Sequence, residues 1–431
     1  ALLWDRAPVE GIAGPDWADR TGDQLRALEN VTLLPRTTVV AAWDHGYFTA
    51  VQHNEASGAA TSTQTLWRIR AEKTILASGA IERPLVFPNN DRPGIMLADS
   101  ARQYINRYAA RPGNTTVIYT NNNSAYRAAL DLHEKSVTIA AVVDVRDEIP
   151  KELARRIREL GIPVFRGYEV SGTRGYNRVN QVTIRPTPGN SAQSSLPHRL
   201  ACDLLCISGG WDPTLHLLSQ PGGKLDYSEQ LACFVPRSYQ PAQAVNIRAV
   251  GSANGCFELA GCLAEGHAAG LELSGQAGGE VGDTIVAPAS TGHDGEYGIK
   301  AYWQTTPPYR GRQWVDRLHD VTSSSINVAN REGFNSVELL KRYTTIGMAI
   351  DQGKTSNVSA LAILSEASGQ AIPDVGTTTF RPPFTPVTLG ALAGREVGPR
   401  AWPLRHLPLH DWHVAAGGVM EDHSGWQRAA Y

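Results

Sequence analysis

Polar and small residues able to meet a ligand gather where apolar runs end. Thr74-Ile75-Leu76-Ala77-Ser78-Gly79-Ala80 is a short apolar run closing on small side chains, and Ile81-Glu82-Arg83-Pro84 follows it. Such runs suit parallel strands buried on both faces. Small residues at their ends let backbone approach a ligand closely. The pattern returns at Leu204-Leu205-Cys206-Ile207-Ser208-Gly209-Gly210, closed by Trp211-Asp212-Pro213. It returns again at Val250-Gly251-Ser252-Ala253-Asn254-Gly255-Cys256, which leads into a Gly- and Ala-dense helix expected over 259–273. A glycine turn at a helix N-terminus presents unpaired N–H groups and suits a phosphate or pyrophosphate. Small residues also let a helix pack hard on a sheet, so the turn admits a packing role equally.

A second constellation lies between these signals. A strand is expected over 115–120, then the turn Asn121-Asn122-Asn123-Ser124, a helix over 125–133 and a strand over 137–143 ending in Asp144. Asp144 stands 24 residues after Thr120. That is the layout of a dinucleotide-binding βαβ unit, with a phosphate turn and an acid for the ribose. The glycines of GxGxxG are absent, and asparagines stand in their place. Asn tolerates left-handed turns but does not allow the same close approach. A working dinucleotide site and a Rossmann-like domain kept for its architecture both remain open, with Asp144 and Arg146 ambiguous between them.

The elements that would position these groups are legible by their punctuation. Helices are expected over 100–108 and 152–160, the latter stopped by Gly161, and strands over 163–165 and 181–185. Residues 186–197 are polar and rich in Pro and Ser, as a loop or crossover is. Three sheet-edge signals separated by the βαβ unit imply one dinucleotide-type domain interrupted by an insert. The expected division is 1–110 with 190–285 for the discontinuous domain, 111–189 for the Rossmann-like insert, 286–390 for a small helical domain and 391–431 for the start of another. The fold class is α/β, with nested dinucleotide-binding domains of the pyridine nucleotide-disulfide reductase kind.

Composition removes whole classes of function. The 431 residues amount to about three domains at roughly 150 residues each. Lys plus Arg is 40 and Asp plus Glu is 42, a balance unsuited to gripping nucleic acid or an anionic membrane. Only 19% of residues are charged and 42% are hydrophobic, the reverse of a disordered chain. Cys202, Cys206, Cys233, Cys256 and Cys262 form no CxxC pair and sit at no zinc-ligand spacing. Reduced, mostly buried thiols in the cytoplasm are expected. A redox dithiol of Cys202 and Cys206 is the alternative, although residues four apart on a strand are too distant for a disulfide. His410 and His413 form an HxxH pair with no third ligand in view, and no metal is expected there.

Long motifs carry a family resemblance. Leu76-Ala-Ser-Gly-Ala-Ile-Glu-Arg-Pro-Leu-Val-Phe-Pro-Asn-Asn-Asp-Arg-Pro-Gly-Ile-Met96, Tyr119-Thr-Asn-Asn-Asn-Ser-Ala-Tyr126, Lys341-Arg-Tyr-Thr-Thr-Ile-Gly-Met-Ala-Ile-Asp-Gln-Gly-Lys-Thr-Ser-Asn357 and Pro408-Leu-His-Asp-Trp-His-Val414 occur in order. Together they resemble the alpha subunit of heterotetrameric sarcosine oxidase along nearly the whole chain. The resemblance implies NAD bound on nested dinucleotide-type domains, followed by a small helical domain and a tetrahydrofolate-binding, aminomethyltransferase-like domain. It implies a beta-type flavoprotein partner carrying FAD and the amine-oxidising site, smaller subunits, and FMN between alpha and beta. The implied reaction is oxidative demethylation of sarcosine to glycine, with the one-carbon unit passed to tetrahydrofolate. No catalytic base is implied on this chain. Ser78, Gly79, Glu82, Arg83, Gly251, Asn254 and Gly255 match positions that would line the cofactor cleft. The family's first glycine fingerprint has no match here, and only the opening of the folate domain, 405–431, is present. The chain begins at Ala1 without Met, as an internal piece of a subunit about twice its length would.

Residues 312–366 resemble the small 2Fe–2S domain of bacterioferritin-associated ferredoxin and of its relatives in opine and cyanide-producing dehydrogenases. Val321-Thr322 precedes a helix expected over 324–332, with Thr322 or Ser323 as its cap. Further helices are expected over 336–343 and 358–367. The four cluster-cysteine places hold Asp316, Leu318, Asp351 and Ser356. A Leu cannot ligate iron, so a cluster-free version of the domain is expected, with no iron–sulfur cofactor. Arg342, Lys354, Thr355, Ser356 and Asn357 form a partly cationic group suited to a flavin phosphate at a subunit interface. A loop tied by its own hydrogen bonds is the competing expectation. Two rival functions stand beside the sarcosine oxidase one: an alpha-type subunit of an opine or amino-acid dehydrogenase, and a non-catalytic scaffold that binds no nucleotide.

Overall fold

The computed structural model describes residues 8–54, 62–190, 196–241, 244, 246–276, 286–290, 297–394 and 397–431. The chain divides into two compact units. The larger takes in Ala1–Leu33, Trp43–Gly46 and Ala71–Arg381, and the smaller Leu34–Ala42, Tyr47–Arg70 and Pro382–Tyr431. No helix among the described residues is long and apolar enough to cross a membrane.

The larger unit is organised on a five-stranded parallel sheet in the order Ile95–Leu97, Leu204–Ser208, Thr115–Thr120, Thr138–Asp144, Val164–Arg166. Its central strands are apolar on both faces because both faces are covered: Val117, Ile118, Tyr119, Val142, Val143, Leu205 and Ile207 are fully buried. The helices Ala98–Arg107 and Ala125–Glu134 set Ala101, Ala128, Ala129 and Leu132 against Ile118, Val142 and Leu204. The antiparallel strands Tyr168–Arg174, Gln181–Pro186 and His198–Ala201 form a separate sheet, which sets Val170, Val182 and Ile184 against Val117, Val143 and Leu205. The sequence placed the insert at 111–189. The sheet runs wider on both sides, since Ile95–Leu97 and Leu204–Ser208 both hydrogen-bond into it.

Two short pairings lie outside this sheet. Thr74–Leu76 pairs in parallel with Ile247–Ala249, and Ala80–Glu82 pairs antiparallel with Trp211–Pro213. Each of the three small-residue signals therefore ends a strand, as the sequence pattern predicts.

The helices Ser323–Arg331, Val337–Thr344 and Asn357–Ser368 enclose Ile326, Ala329, Leu340, Ile346, Leu361, Ile363 and Leu364. The same core continues onto Val86, Ala232, Phe234 and Trp303, so the helical region shares its interior with the dinucleotide-type elements. Thr322 caps the first helix in a reciprocal box with Ser325. Asn357–Ser368 buries six consecutive residues, Ser359 to Leu364, as a helix surrounded by protein must.

The smaller unit contains the antiparallel strands Tyr47–His53 and Gln64–Arg70, beside Thr37–Trp43, and a second sheet of Arg405–His406, Trp426–Ala429 and Met420–His423. One cluster of its core has Val40, Val51 and Ala391 buried, with Leu66 and Val387 packed on them.

Leu364 is fully buried, so Leu364→Ala removes packing without room to collapse and lowers stability by about 2–5 kcal/mol. Thr322→Ala loses only a cap and costs about 1 kcal/mol. Chemical denaturation of the full chain, following tryptophan fluorescence, checks both the sizes and their order.

Candidate functional site

The βαβ layout forms as expected, but its ligand-facing groups are already engaged. Asp144 is fully buried. Its Oδ1 accepts from Arg146 N at 2.9 Å and Nε at 3.0 Å, and its Oδ2 from Arg146 Nη2 at 2.7 Å and the Tyr126 hydroxyl at 2.8 Å. Burial and the Asp144 charge push the Tyr126 phenol well above its ordinary range, so it stays a donor. Arg146 also donates to Asn123 Oδ1 at 2.6 Å and to Gly298 O at 3.0 Å. Residues 298–300 run across the asparagine turn: Asn123 N donates to Gly298 O, and Lys300 N to Asn121 O, each at 3.0 Å. Asn121 Nδ2 returns a bond to Lys300 O at 2.9 Å. Of the two roles open for Asp144, the structure assigns the architectural one. Both carboxylate oxygens are filled, leaving none to receive a ribose.

The residues after the first small-residue signal divide into an outer and an inner pair. Ser78 is exposed and its hydroxyl donates to Thr214 O at 2.6 Å, while Gly79 takes φ +73° with open space where a side chain would stand. Glu82 and Arg83 face inward. Glu82 accepts from Asp99 N at 2.8 Å, at the start of the helix Ala98–Arg107. Burial above all, then the neighbouring Asp99 charge, pushes its carboxyl up to about 8, against the lowering effect of Ser208, Asp99 N and Arg102. Arg83 is 1% exposed. It pairs with Asp212, donates to Gly209 O and to Ala232 O, and lies 4.8 Å over the Trp303 ring. Glu82 and Arg83 thus join the paired strands Ala80–Glu82 and Trp211–Pro213 to the surrounding core, with their side chains buried.

The glycine turn at 251 is also filled from within. Gly251 and Gly255 take φ +62° and +84°. Gly251 N donates to Glu265 Oε2 at 2.8 Å, and Asn254 Nδ2 approaches both Glu265 oxygens at 3.3–3.4 Å. A carboxylate on these donors repels an incoming phosphate. A Cβ at Gly255 would stand 2.9 Å from both Leu231 and Val235, so this glycine answers a packing need. Sequence reasoning missed Glu265. Its only signal is an acid on the face of the following helix that looks back at the turn.

The helical region gathers the former cluster positions. Asp316 Oδ1 accepts from Leu318 N at 2.9 Å and His319 N at 3.1 Å, and Oδ2 from Gly347 N at 2.9 Å and His319 Nδ1 at 3.2 Å. One carboxylate therefore binds two loops together. Asp316, Leu318, Asp351 and Thr355, with Pro84 and Leu97, line a cavity of about 260 Å³. Ser356 is 2% exposed and its hydroxyl has no partner. Lys354 Nζ donates to Asp351 O at 3.1 Å and Ile350 O at 3.4 Å. Burial and the Lys354 charge hold the His216 imidazole down at about 4, so it is neutral. Gly347 and Gly353 both take positive φ, and a Cβ on either would strike Asn357 Oδ1 within 2.3 Å. Arg342 lies exposed on the helix Val337–Thr344 and pairs with Glu338 at 3.8 Å, apart from the contacts of this loop.

Residues 310–395 match the family described as the sarcosine oxidase A3 domain. The chain is 36% identical over 438 residues to the sarcosine oxidase subunit alpha of Rhizobium meliloti (strain 1021), covering 100% of this chain and 42% of that protein. It is 38% identical over 442 residues to the subunit of the same name from Corynebacterium sp. (strain P-1), covering 98% of this chain and 44% of that one. The chain belongs to the sarcosine oxidase alpha-subunit family. It spans less than half the length of these relatives. Among solved structures, L-proline dehydrogenase from P. horikoshii superposes with a TM-score of 0.61 at 19% identity, over 91% of this chain and 72% of that one, and shows the shared fold.

In this sarcosine oxidase alpha-type chain the A3 span contains Asp316, Asp351 and the Lys354–Ser356 loop, so the family match falls on the cavity itself. All five cysteines are free, and burial pushes the Cys202 thiol up to about 12 and Cys206 higher still, which excludes a reactive dithiol. His410 stacks on His406 with ring centres 3.7 Å apart. No group of three or more His, Cys, Asp or Glu side chains placed to hold a metal occurs among the described residues.

Glu82 gives a pH dependence with a defined sign. The folded carboxyl keeps its proton up to about pH 8, whereas an unperturbed Glu releases it near 4.5. The unfolded state binds fewer protons across that window, so this group's contribution to stability is lost as pH rises from about 4.5 through 8. Glu82→Gln has no such proton. Its melting temperature falls less between pH 5 and pH 8 than the parent's in calorimetry at matched ionic strength, and an equal fall in both proteins would show Glu82 to be ordinary.

Proposed function

We propose that this chain is the nucleotide- and flavin-framing part of the alpha subunit of a heterotetrameric sarcosine oxidase. It works beside a beta-type flavoprotein, which carries FAD and the amine site, and beside smaller subunits. The reaction is oxidative demethylation of sarcosine to glycine, with the one-carbon unit passed to tetrahydrofolate.

The observation that carries this reading is the cavity of the A3 span, whose wall includes Thr355 and Arg317, with Lys354 and Ser356 flanking Thr355 in sequence. These residues fit the phosphate end of an FMN. Ser356 keeps a buried hydroxyl without a partner, and such a group calls for one. Burial lowers the Lys354 ammonium from its ordinary range, and an adjoining phosphate would hold it protonated. Neutral His216 does not repel the ammonium. Bound there, FMN would accept electrons from the partner's FAD and deliver them to oxygen. The chain's own residues bind and orient: Lys354 neutralises charge, the Thr355 and Ser356 hydroxyls donate, and Asp316 fixes the loop at 347 that faces them. Arg342 enters this reading only at a subunit interface.

NAD belongs to the same proposal. Ser78 is exposed and Gly79 half-buried just after a strand end, a place that suits the approach of a nucleotide. Gly251, Asn254 and Gly255 add no phosphate donor to it, because Glu265 already occupies that turn.

Co-purification of the chain with a beta-type partner tests this. Lys354→Ala lowers acid-extractable FMN at least tenfold while FAD content is unchanged, and Lys354→Arg restores part of it. Unchanged FMN in Lys354→Ala would place the flavin elsewhere. A complex with neither NAD nor FMN would leave only the scaffold role.

A further inference from the structure

We infer that the larger unit holds a second ligand site, a groove that takes a small phosphorylated molecule. The groove lies between the antiparallel strands Tyr168–Arg174 and Gln181–Pro186 and the segment 308–310, and encloses about 560 Å³. That volume lies within the range of small-molecule sites and admits a sugar phosphate or a mononucleotide. It shares no residue with the cavity at Asp316.

Its charge is one-sided. Arg174, Arg185 and Arg310 line it, and no carboxylate does. The three arginines are not equivalent. Arg185 is structural: its Nε donates to the buried Glu169 at 2.7 Å, and its two terminal nitrogens hold the carbonyls of Thr306 and Pro308. Tyr302 and Thr306 also bind Glu169. Arg185 therefore spends its charge on Glu169 and fixes the wall that carries Tyr309 and Arg310. Arg174 and Arg310 make no ion pair among the described residues, and each brings an uncompensated cation to the groove from a different wall. Arg92 adds a third positive charge behind them, tied to Thr173 Oγ1 at 3.3 Å and to Gly175 O.

The backbone is shaped for access as well. The ladder slips between Val170 and Gly172, so Ser171 is the extra residue of a bulge. Bulges re-aim side chains and cluster beside binding sites. A Cβ at Gly172 would meet open space, not protein. Ser171 and Thr183 add hydroxyls to the lining, and Tyr309 with Pro197 and Pro308 adds an apolar wall for the body of a ligand.

Two guanidiniums from separate walls favour a phosphate over a carboxylate. A single guanidinium engages both coplanar oxygens of a carboxylate from one side, whereas the three terminal oxygens of a phosphate present faces to two forks from separate walls. The ligand is thus a phosphate or diphosphate ester with a small ring-containing body.

Isothermal titration of the full chain with inorganic pyrophosphate tests the site. Arg174→Ala and Arg310→Ala each weaken binding at least tenfold, and the double variant abolishes it. Arg156→Ala, on an exposed helix face away from the groove, leaves it unchanged. Tricarballylate, of comparable charge but built of carboxylates, binds at least tenfold more weakly. Circular dichroism melts confirm that the variants fold. Absence of pyrophosphate binding at millimolar concentration, or equal binding by the double variant, overturns the site. Tricarballylate binding as tightly as pyrophosphate overturns its assignment to phosphate.

Discussion

The buried guanidinium of Arg83 is the constraint on which the larger unit depends. It lies where the strand Ala80–Glu82 passes its paired strand Trp211–Pro213, and it is bound to Asp212 and to the carbonyls of Gly209 and Ala232. Its face covers Trp303, which belongs to the core of the helical region. One side chain therefore touches the strand crossing, the end of the parallel sheet and the edge of the A3 core. A buried cation is costly unless every polar partner is in place. That cost makes the arrangement specific: Gly209 must bring its backbone within reach, and a Cβ there would stand 2.8 Å from Pro84 O. The cavity and its loop inherit their position from this crossing, because Pro84 and Leu97 on either side of it form part of the cavity wall.

A common device runs through the candidate sites. In three places a carboxylate occupies donors or loops that a ligand would otherwise organise. Asp144 takes Arg146 and Tyr126 beside the asparagine turn. Glu265 takes the Gly251 N–H. Asp316 gathers three backbone N–H groups and His319 in the region resembling a cluster domain. Asp144 and Asp316 do so as buried acids, a cost met because several hydrogen bonds converge on each, whereas Glu265 does so from a half-buried helix face. The Lys354–Ser356 loop differs. A hydroxyl there remains buried without a partner. With Thr355 on the cavity wall beside it, that hydroxyl is the group to which the proposal gives a flavin phosphate.

Much of the fold was legible because periodicity and punctuation agree. The strands at 115–120 and 138–144 and the helices at 125–134, 323–331 and 357–368 fall within a residue or two of expectation, since apolar runs, caps and glycine stops coincide there. The sheet's full width was not legible. Ile95–Leu97 is only three residues long and follows a turn cluster, too short for any pattern to reveal. The strands between 37 and 70 also escaped: Gln64–Arg70 is nowhere fully buried, so its alternation is blurred by Arg68 and Arg70. At the site level, residue type and place were readable but commitment was not. Glu82 and Arg83 look like cleft residues in sequence because they follow a small-residue strand end. Only their partners, 17 and 129 residues away at Asp99 and Asp212, show them facing inward.

The central proposal is that the A3 loop of this sarcosine oxidase alpha-type chain receives a flavin phosphate. An experimental structure of the chain in complex with a beta-type partner tests it most directly. The account predicts FMN phosphate oxygens within hydrogen-bond distance of Lys354 Nζ and of the Thr355 or Ser356 hydroxyl. An FMN whose phosphate contacts none of residues 354–356 would contradict it.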